Sequence, residues 1–436
     1  MEKIINVLTY HPMADGKTKD TEAIQQAIDA GAKQKLPVKF PEGVYLVGSL
    51  FLRENSHLIF EEGAVLKGSL DIYDYPEIPT RIAGIELSWP AAIVNIIETK
   101  NVKIEGPGCI DGQGEYWWNL YWGKDQKSGQ RAIYDQQGLR WLADYLVKRP
   151  RNCLVYQAEN ITINDLYLER SGFWNLQVTY SRNVHLENLT IQNNHGPSTD
   201  GIDIDSSTDI RITGCSFDCG DDCISIKSGR DGDGRRVNKP SEKIEIDHCK
   251  VLGGYGVTIG SEVSGGVRDV FIHDIEFDHA DCGIRMKSSK ERGGFIENID
   301  VENLRMTNVQ FPFSWIMDWH NEYNRKKVTA TDKIPHPEIW HAVAEEIPEE
   351  LQMTKVRNIH IKNVRATLEK NDQKSSRAFD LVAFPNKPME NILFEDCQIE
   401  AAEFGRIAAV EKLVLKNVEI KVAQTNNQSN DTFDNR

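Results

Sequence analysis

The sequence predicts an all-β fold: a single-domain right-handed parallel β-helix with an N-terminal capping helix and two long loop insertions. Three observations predict it. A nine-residue pattern returns along most of the chain, several consecutive copies begin 23 to 29 residues apart, and each copy alternates apolar and polar residues. Self-similarity at a near-constant period is typical of architectures built from stacked repeats.

The repeated pattern is a polar residue followed by apolar, any, apolar, any, polar or glycine, apolar, any and apolar. Alternation places the apolar side chains of each copy on one face of two short strands. One copy cannot bury that face alone, whereas coils stacked at about 4.8 Å bury a continuous apolar column. A β-sandwich is the alternative, but it does not require one motif at near-constant spacing. The copies occupy 160–168, 183–191, 209–217 and 243–251, and further copies begin at Asp269, Asn298, Asn358, Asn391 and Lys412.

The N-terminal segment predicts a helix that covers the first coil. Residues 20–29 place Ile24, Ala27 and Ile28 at helical spacing, with Asp20 as the candidate N-cap. An uncovered β-helix end exposes unpaired strand edges, so we expect this helix to cap it.

We expect the β-helix to span residues 1–422 and to be followed by a flexible polar tail at 423–436. Two insertions, at about 111–150 and 310–355, interrupt the repeat. Long loops on a rigid scaffold are a common place for binding sites, and aromatic side chains in them can stack on a sugar ring. The alternative is that the rings pack the loops onto the coils. The insertions contain seven of the nine tryptophans: Trp117, Trp118, Trp122, Trp141, Trp315, Trp319 and Trp340.

Composition narrows the classes of partner and compartment. The chain has 436 residues and a formal net charge of −15, which argues against a nucleic-acid partner or an anionic membrane surface. No apolar run approaches the 18 or so residues that a membrane helix needs. The first residues lack a basic and apolar secretion signal, so we expect a cytoplasmic protein.

The eight cysteines are scattered, without a zinc-type double Cys-x-x-Cys, and we expect reduced, buried thiols. A disulfide between Cys219 and Cys223 would form only in an oxidising compartment. Residues 231–234 resemble part of a calcium loop but lack the third acidic ligand and the terminal Glu. We therefore expect neither a metal site nor a cofactor.

Carboxylates gather between residues 196 and 294. Asp200 lies at the entrance to one strand, and Asp221 and Asp222 lie at the same position one coil later. If the coils stack in register, these side chains lie about 5 Å apart along the axis, with side-chain spread adding more. That approaches the roughly 6.5–9.5 Å of inverting glycoside hydrolysis, in which one carboxyl protonates the leaving oxygen and another activates water. Clustered like charges also raise one pKa, as a general acid at neutral pH requires.

The acidic residues that follow are interpreted differently. Ile202 and Ile204 are predicted to point into the core, so that Asp203 and Asp205 point outward. We expect these two carboxylates, with Asp209, to cap turns and hydrate the surface of the β-helix.

Basic residues around this cluster indicate an acidic ligand. Four basic residues between 227 and 236 outnumber two acidic ones, and Arg285 and Lys287 are predicted to point outward on a later coil. Guanidinium groups suit the carboxylates of sugars. Solvated loop charges are the alternative for Arg230 and Arg235. The candidate substrate-binding residues are Arg285, Lys287, Lys227, Arg236, Glu262, Tyr255 and His195.

These motifs resemble glycoside hydrolase family 28, the polygalacturonase family. The resemblance runs from about Asp15 to the last repeats, and the segments 226–236, 260–266 and 292–294 look most like the bacterial exo-acting branch. The matching motifs, in the order of the family, are Thr199-Asp200, Gly220-Asp221-Asp222-Cys223, Ile259-Gly260-Ser261 and Arg285-Met286-Lys287.

The resemblance implies a role for each charged residue of the cluster. Asp221 would be the general acid, and Asp200 and Asp222 would hold and deprotonate the nucleophilic water. Arg285 and Lys287 would bind the uronate at the cleavage subsite. The family also implies inversion of anomeric configuration without a metal or a covalent intermediate.

Two positions depart from the pattern of the family. Ser198 stands where the family usually has Asn, and a hydroxyl can still hydrogen-bond. The family's His in a Gly-His-Gly segment is missing, and its position falls on Tyr255 or Gly254. Members that act on the rhamnogalacturonan backbone also lack this His, so the departure leaves two substrates open. His195 lies beside the Asp200 motif and could take its place, with a structural or solvent-exposed role as the alternative.

We therefore expect an inverting hydrolase that removes terminal galacturonic acid from imported pectic oligosaccharides, derived from homogalacturonan or rhamnogalacturonan. A rhamnogalacturonan-specific hydrolase, including one that releases rhamnose, is the first alternative. A calcium-dependent pectate lyase of similar architecture and a sugar-binding protein that has lost catalysis are two further classes. The oligosaccharide is the expected partner, and the sequence does not predict the oligomeric state.

Overall fold

Two parallel sheets, of 22 and 11 strands, wrap one apolar interior in the part of the chain that the structure describes. This computed structural model describes residues 3–319, 338–344, 346–369 and 375–422. A two-stranded antiparallel hairpin lies outside both sheets. The predicted right-handed parallel β-helix is confirmed, whereas the predicted tail at 423–436 lies outside the described residues.

The strands are numbered in chain order, and most are short because each coil bends at its corners. They are β1 (Ile5–Asn6), β2 (Asp15–Lys19), β3 (Val38–Phe40), β4 (Gly43–Val47), β5 (Leu50–Phe51), β6 (His57–Phe60), β7 (Ala64–Gly68), β8 (Glu77–Ile82), β9 (Ile85–Pro90), β10 (Val94–Ile97), β11 (Lys100–Glu105), β12 (Cys109–Asp111), β13 (Cys153–Tyr156), β14 (Glu159–Asn164), β15 (Tyr167–Glu169), β16 (Leu176–Thr179), β17 (Arg182–Glu187), β18 (Thr190–Asn194), β19 (Ile202–Asp205), β20 (Thr208–Thr213), β21 (Ser216–Cys219), β22 (Ile224–Lys227), β23 (Ser241–Asp247), β24 (Lys250–Gly253), β25 (Val257–Ile259), β26 (Val267–His273), β27 (Glu276–Asp278), β28 (Cys282–Lys287), β29 (Phe295–Thr307), β30 (Phe311–Ile316), β31 (Lys355–Thr367), β32 (Arg377–Val382), β33 (Met389–Ala401), β34 (Glu403–Ala408) and β35 (Val410–Val422).

The helices are few and lie outside the coils. They are α1 (Thr21–Gln34), α2 (Gly114–Trp122), α3 (Gln130–Asp135), α4 (Arg140–Leu146), α5 (Asp231–Val237) and α6 (Glu338–Ala344), with 3-10 turns at Val7–Tyr10, Ile72–Asp74 and Glu349–Leu351. The smaller sheet consists of β5, β10, β13, β16, β19, β22, β25, β28, β30, β32 and β34, and β8 pairs with β9 to form the hairpin.

Each coil stacks on the next in a constant register. On the smaller sheet Ile202 pairs with Ile224, Ile224 with Val257, Val257 with Ile284, and Ile284 with Phe313. All five side chains are fully buried. Because side chains alternate along a strand, the residues between them form a second column that points away from the core.

The two polar positions of the repeated pattern are corners of the coil. The first residue of each of the nine copies, from Asn160 to Lys412, has a φ of 54 to 59°, and the sixth residue has a φ of 51 to 67°. Asn and Asp tolerate this left-handed conformation better than other side chains do. Asn183 Nδ2 also donates to Asn160 Oδ1 at 2.7 Å, and Asn160 Nδ2 to Asn101 Oδ1 at 3.1 Å. The pattern is therefore polar where the backbone turns, and its side chains link neighbouring coils.

Helix α1 covers the first coil, as predicted, and extends to Gln34. Its residues Ile24, Ala27 and Ile28 are fully buried. Gln25 Nε2 donates to the carbonyl oxygen of Phe51 at 2.8 Å, and Gln25 Oε1 accepts from the backbone N–H of Phe51 at 2.8 Å. This pair of bonds satisfies the outer edge of β5, which would otherwise be open to another strand.

The predicted capping role of the Asp20 side chain is wrong. Asp20 precedes the helix, but its carboxylate makes no hydrogen bond to the first helical amides. It accepts instead from the backbone N–H groups of Met13, at 2.7 Å, and Ala14, at 3.0 Å. The incoming loop supplies these donors, which the helix-start motif alone does not show.

The first insertion forms α2, α3 and α4, and α4 packs against the β8–β9 hairpin. The hairpin falls outside the repeated pattern and was not predicted. Trp89 of the hairpin and Trp141 and Tyr145 of α4 form a second apolar cluster beside the main core, together with Phe173 and Trp174, which precede β16. The two segments together build a wall over the outer face of the smaller sheet.

The predicted start of the second insertion, at residue 310, is wrong. Residues Phe311–Ile316 form β30 of the smaller sheet. Trp315 is fully buried, and its ring lies 6.2 Å from Phe313 and 5.8 Å from Phe394, centroid to centroid. The aromatic composition resembles that of the first insertion, but here the rings fill the core of a coil. Residues 320–337 of the predicted insertion lie outside the described residues.

All eight cysteines are free thiols, and seven of them are buried. Cys109, which was expected to be buried, is partly exposed, and Cys219 and Cys223 are not joined by a disulfide. Among the described residues, no helix has both the length and the apolar character that a membrane span requires.

We predict that Leu186→Ala lowers the free energy of unfolding by about 2–5 kcal/mol, because it leaves a cavity in the stacked core. Leu186 is fully buried in β17. Leu415→Ala is the matched control, since Leu415 is 44% exposed on β35 and its truncation should cost less than about 1 kcal/mol. Denaturant unfolding followed by circular dichroism measures both, and equal losses would contradict a continuous core.

Candidate active site

A cavity of about 640 Å³ opens over the outer face of the smaller sheet. The outward column of that sheet contributes to it, since Thr258 pairs with Arg285 and Arg285 with Ser314 in register. Side chains of the hairpin turn and of α4 line another part. The lining includes all three predicted catalytic residues and five of the seven predicted binding residues, namely Asp200, Asp221, Asp222, Lys227, Tyr255, Glu262, Arg285 and Lys287.

The three predicted catalytic carboxylates converge at this cavity. Backbone pairing brings their strands together, because the N–H of Gly201 donates to the carbonyl oxygen of Asp222 at 2.9 Å. One oxygen from each of Asp200, Asp221 and Asp222 lies within 4.8 Å of the other two. This nearest approach of single oxygens agrees with the coil spacing of about 5 Å and is shorter than the roughly 6.5–9.5 Å between the carboxyl groups of inverting hydrolases.

Asp222 is held as an anion by three donors. Its Oδ1 accepts from Thr258 Oγ1 at 2.7 Å and from Arg285 Nη1 at 3.1 Å, and its Oδ2 accepts from Lys287 Nζ at 2.6 Å. Burial alone would raise the pKa of Asp222, but Lys287, Arg285 and Lys227 outweigh it and lower the pKa to about 2.

Asp221 lies in the opposite electrostatic situation. Burial raises its pKa, and the charge of the adjacent Asp222 raises it further. Its Oδ1 accepts one hydrogen bond, from the backbone N–H of Asp222 at 3.0 Å. Two neighbouring carboxyls with pKa values moved apart are suited to act as an acid and a base.

Lys227 lies among three buried carboxylates. Its Nζ is 3.3 Å from Glu262 Oε2, 3.6 Å from Asp203 Oδ1 and 4.0 Å from Asp200 Oδ2. Burial and the neighbouring Asp203 and Asp221 raise the pKa of Asp200. Three carboxylates of the site could also attract a divalent cation, but the ammonium and guanidinium groups already compensate much of their charge.

The predicted surface roles of Asp203 and Asp205 are wrong, whereas Asp209 is exposed as expected. Both side chains point away from the core but do not reach solvent, since they are 0% and 1% exposed. Asp205 Oδ1 lies 3.0 Å from Nη1 of Arg81, which is itself fully buried. Alternation along the strand shows the direction of these side chains, but not that a distant segment lies over them.

Aromatic rings flank the cations of the cavity. The Arg285 guanidinium lies 4.2 Å from the ring centroid of Tyr255 and 5.7 Å from that of Trp319, and Lys287 Nζ lies 4.8 Å from the Trp319 ring. Gly254 has a φ of +87°, and a Cβ there would lie 2.6 Å from the carbonyl oxygen of Asp221. Of the two positions considered for the missing His, Tyr255 is therefore the one whose side chain reaches the cavity.

Arg236 and His195 do not line the cavity. Arg236 is an exposed residue of α5, and its Nη2 donates to Asp233 Oδ1 at 2.7 Å. The His195 side chain is 64% exposed and lies 3.3 Å from Asp218. Arg236 was predicted from the basic residues around Lys227 and His195 from its place beside the Asp200 motif, but proximity in the sequence does not show which side of a loop faces the cleft.

Arg230 and Arg235, for which solvation was the alternative, are held by the protein. Arg230 is buried, and its Nη1 donates to the hydroxyl of Tyr145 at 2.7 Å. Arg235 donates to the carbonyl oxygens of Arg292, at 2.7 Å, and Glu291, at 3.1 Å. Both residues brace α5 and its surroundings rather than extending into solvent.

Several lining residues were missed from the sequence. Ala83 lies in the hairpin turn, Tyr145 in α4 and Trp174 before β16, while Asp380 and Arg406 lie on later coils. Asp380 and Arg406 extend the outward column, because Ser314 pairs with Asp380 and Asp380 with Arg406. A register extended to the final coils could have found them, whereas no local signal places the hairpin here.

Comparison with known proteins gives a consistent result. The model of the family "Glycosyl hydrolases family 28" matches residues 80–347, and a model described as rhamnogalacturonase A/epimerase, pectate lyase-like, matches residues 4–70. A probable polygalacturonase of Vitis vinifera is 32% identical over 71% of this chain and 62% of its own length. An exo-poly-alpha-D-galacturonosidase of Dickeya chrysanthemi is 28% identical over 70% of this chain and 56% of its own length. The chain thus spans about three fifths of these relatives.

A solved structure agrees over nearly the whole chain. The hyperthermoactive exopolygalacturonase of Thermotoga maritima superimposes with a TM-score of 0.78 at 27% identity, covering 97% of this chain and 92% of the other. The polygalacturonase of Erwinia carotovora ssp. carotovora, at 21% identity and a TM-score of 0.65, shares the fold.

We predict that Asp205→Asn lowers the free energy of unfolding by about 3 kcal/mol, because it leaves the Arg81 guanidinium buried without its closest carboxylate. Asp209→Asn is the control. Asp209 is exposed, and its nearest cation, Lys243, lies 3.9 Å away, so the change should cost less than about 0.5 kcal/mol. Denaturant titration measures both, and a cost at Asp205 no larger than at Asp209 would show that the hairpin does not depend on this pair.

Proposed function

The chain belongs to glycosyl hydrolase family 28, and from this we propose that it is an inverting hydrolase that removes terminal galacturonic acid from pectic oligosaccharides. The oligosaccharides would come from homogalacturonan or rhamnogalacturonan. The observation that carries the proposal is the pair Asp221 and Asp222, whose pKa values are moved in opposite directions beside two cations. The exo-acting relatives support the release of a terminal sugar.

In the proposed reaction Asp221 donates its proton to the glycosidic oxygen as the bond from that oxygen to the anomeric carbon breaks. A water molecule held by Asp200 and Asp222 attacks the anomeric carbon from the opposite face and transfers a proton to Asp222. One bond to the anomeric carbon breaks and one forms, so the product has the inverted configuration. The short separation of the carboxylates does not itself indicate this outcome, which rests on the family.

Arg285 and Lys287 would bind the carboxylate of the sugar. In the unliganded site both cations hydrogen-bond Asp222, which keeps it a weak base. A uronate that accepts bonds from the same two cations competes with Asp222 for them. Substrate binding would thereby raise the basicity of Asp222 at the point where it receives a proton.

One side of the cavity supports an exo mode of action. Trp141, Tyr145 and Phe173 line it, and all three belong to the apolar cluster between hairpin and helices. Such a packed wall suits a chain end better than a continuing polymer. We also infer a cytoplasmic location, in which the substrate is a short imported fragment, and the eight free thiols favour a reducing compartment.

The test is to incubate the purified protein, with EDTA present, with digalacturonate and in parallel with a galacturonate-terminated rhamnogalacturonan oligosaccharide. The released sugar is identified chromatographically, and the configuration of the first product by proton NMR. We expect free galacturonate in the β configuration from at least one substrate. Cleavage of the rhamnose-containing substrate alone would assign the Tyr255 segment to rhamnogalacturonan. Release of rhamnose would indicate the rhamnogalacturonan-specific alternative.

Asp221→Asn is the matched inactive variant, and we expect it to lower kcat about 10³-fold or more with little change in KM, because it removes the general acid. An absorbance from an unsaturated product, restored by calcium, would indicate a lyase instead. Substrate binding without turnover in the wild type, unchanged in Asp221→Asn, would indicate a sugar-binding protein.

We predict that Arg285→Gln lowers kcat/KM about 10- to 100-fold, because it removes a charge-assisted hydrogen bond to the uronate. The same change should move the acid limb of the pH profile to higher pH. Asp222 must be ionised to act as a base, so activity is lost as the pH falls through its pKa, and removal of Arg285 raises that pKa. Arg236→Gln, on the exposed face of α5, is the control and should leave both kcat/KM and the acid limb of the pH profile unchanged. Equal effects of the two changes would place the acidic sugar elsewhere.

A further inference from the structure

We propose that Glu262 recognises the free end of the oligosaccharide by accepting a hydrogen bond from the axial 4-hydroxyl of its terminal galacturonic acid. The inference rests on the proposed function and deepens it, because it states which chain ends the site accepts. Glu262 lines the cavity, and its side chain is 10% exposed. The sequence indicated it as a candidate binding residue, but not which part of a substrate it would contact.

Glu262 offers an acceptor and no donor. Burial works against its charge, but Lys227 and Arg292 hold the pKa of Glu262 below its usual range, so it is a carboxylate at neutral pH. Its Oε1 accepts from Ser261 Oγ at 2.7 Å, and its Oε2 lies 3.3 Å from Lys227 Nζ. A carboxylate has about four lone-pair sites, so these two partners leave Glu262 able to accept from a hydroxyl group.

Glu262 and Asp200 are separated by a distance that one pyranose ring can span. Asp200 Oδ2 is 4.0 Å and Glu262 Oε2 is 3.3 Å from the same Lys227 Nζ, so the two oxygens are no farther apart than these two distances together. With Asp200 holding the water at the anomeric carbon, Glu262 lies within reach of the other end of the same ring. This spacing suits a terminal subsite for one sugar.

The configuration of galacturonic acid directs its 4-hydroxyl toward the side where Glu262 lies. In an inverting reaction, water attacks from the face opposite to the leaving oxygen. In an α-linked, galacto-configured ring, the 4-hydroxyl is axial and projects from this same face. The groups that bind the water and the hydroxyl must then lie on one side of the ring, and Asp200 and Glu262 both lie beside Lys227.

The hairpin turn between β8 and β9 lies directly against Glu262. A Cβ added at Gly84 would lie 2.8 Å from Glu262 Cγ and 2.6 Å from the backbone nitrogen of Arg230. The N–H of Arg230 donates to the carbonyl oxygen of Gly84 at 2.9 Å, and Tyr145 Oη donates to that of Ala83 at 3.0 Å, so both α5 and α4 hold the turn. A second sugar attached to the 4-oxygen would have to occupy the place of this turn.

Two further carboxylates of the lining, outside the catalytic cluster, do not suit this role. Asp144 Oδ2 accepts from Arg140 Nη1 at 3.1 Å, within α4. Asp380 accepts from Arg406 Nε and lies on β32, four coils after the strand of Lys227. Glu262 is the lining carboxylate outside the catalytic cluster that shares a cation with Asp200.

The assignment also indicates which class of reaction supplies the substrate. Hydrolysis of a 1,4-linked galacturonan leaves a terminal galacturonic acid with its 4-hydroxyl, whereas β-elimination leaves a 4,5-unsaturated uronate that has none. A site built to bind a hydroxyl rejects the analogue that lacks it, because the buried acceptor is left without its donor. We therefore expect the protein to act on fragments that hydrolases release and not on those that lyases release.

The first test compares digalacturonate with 4,5-unsaturated digalacturonate as substrates. We expect the kcat/KM of the wild type to be at least about 100-fold higher for the saturated disaccharide. Glu262→Gln keeps the shape but not the charge and should reduce this ratio about tenfold, whereas Glu262→Ala should bring the two substrates within about fivefold. Glu276→Gln, at an exposed position of β27, is the matched control and should leave the ratio unchanged.

Equal kcat/KM of the wild type for the two disaccharides would overturn the proposal. So would a loss in both Glu262 variants that is the same for each substrate, because a residue that only compensates Lys227 changes both rates together and leaves their ratio constant. Thermal unfolding of each variant identifies loss of fold, and should the Ala variant not fold, the ratio in the Gln variant still decides.

The second test does not depend on turnover. Binding of the same two disaccharides to Asp221→Asn is measured by titration calorimetry, with and without the additional change Glu262→Gln. We expect a Kd at least about tenfold lower for the saturated disaccharide, and a smaller difference in the double variant. Equal Kd values, or binding of neither disaccharide, would contradict the assignment. A wild type that releases no sugar, together with an Asp221→Asn variant that prefers the saturated disaccharide, would refute the proposed function but support recognition of the chain end.

Discussion

The constant register of one coil on the next is the constraint on which the structure depends. It requires a backbone turn at the same two positions of every coil, and left-handed Asn, Asp and related residues supply it. Because these corners recur, apolar residues meet apolar residues in the core, and the residues between them form a second column outside. The candidate active site lies on that outer column, in which Asp203, Ser225, Thr258 and Arg285 lie on successive coils.

The outer column becomes a site because other segments close over it. The hairpin and the helices of the first insertion exclude water from side chains that the pleat alone would leave solvated. Charge compensation then becomes local, since each buried carboxylate depends on the few donors within reach. Asp222 has three donors, Asp205 has Arg81, and Asp203 has none closer than Lys227. These differences in the number and distance of donors, not the number of acidic residues, distinguish the roles of neighbouring carboxyls.

The sequence predicts the coils because their determinants are local. Alternation shows the inward face, and the polar corner residues mark where each strand ends. Asp200, Asp221 and Asp222 follow from the same register. The environment of Asp205 could not be predicted, because its partner Arg81 is 124 positions earlier in the chain, in a hairpin outside the repeat. The strand that contains Trp315 was missed because local composition does not distinguish the two cases: tryptophan is as suitable for a core column as for a loop.

The bonds of Arg285 and Lys287 to Asp222 have a consequence for discrimination among sugars. Under the proposed mechanism, a neutral sugar that fits the cavity would leave both cations on Asp222, so the base would stay weak even when the site is full. An acidic sugar would draw them away and strengthen the base as it binds. Discrimination would then show in turnover more than in occupancy, and neutral oligosaccharides of suitable shape would behave as competitive inhibitors rather than as poor substrates.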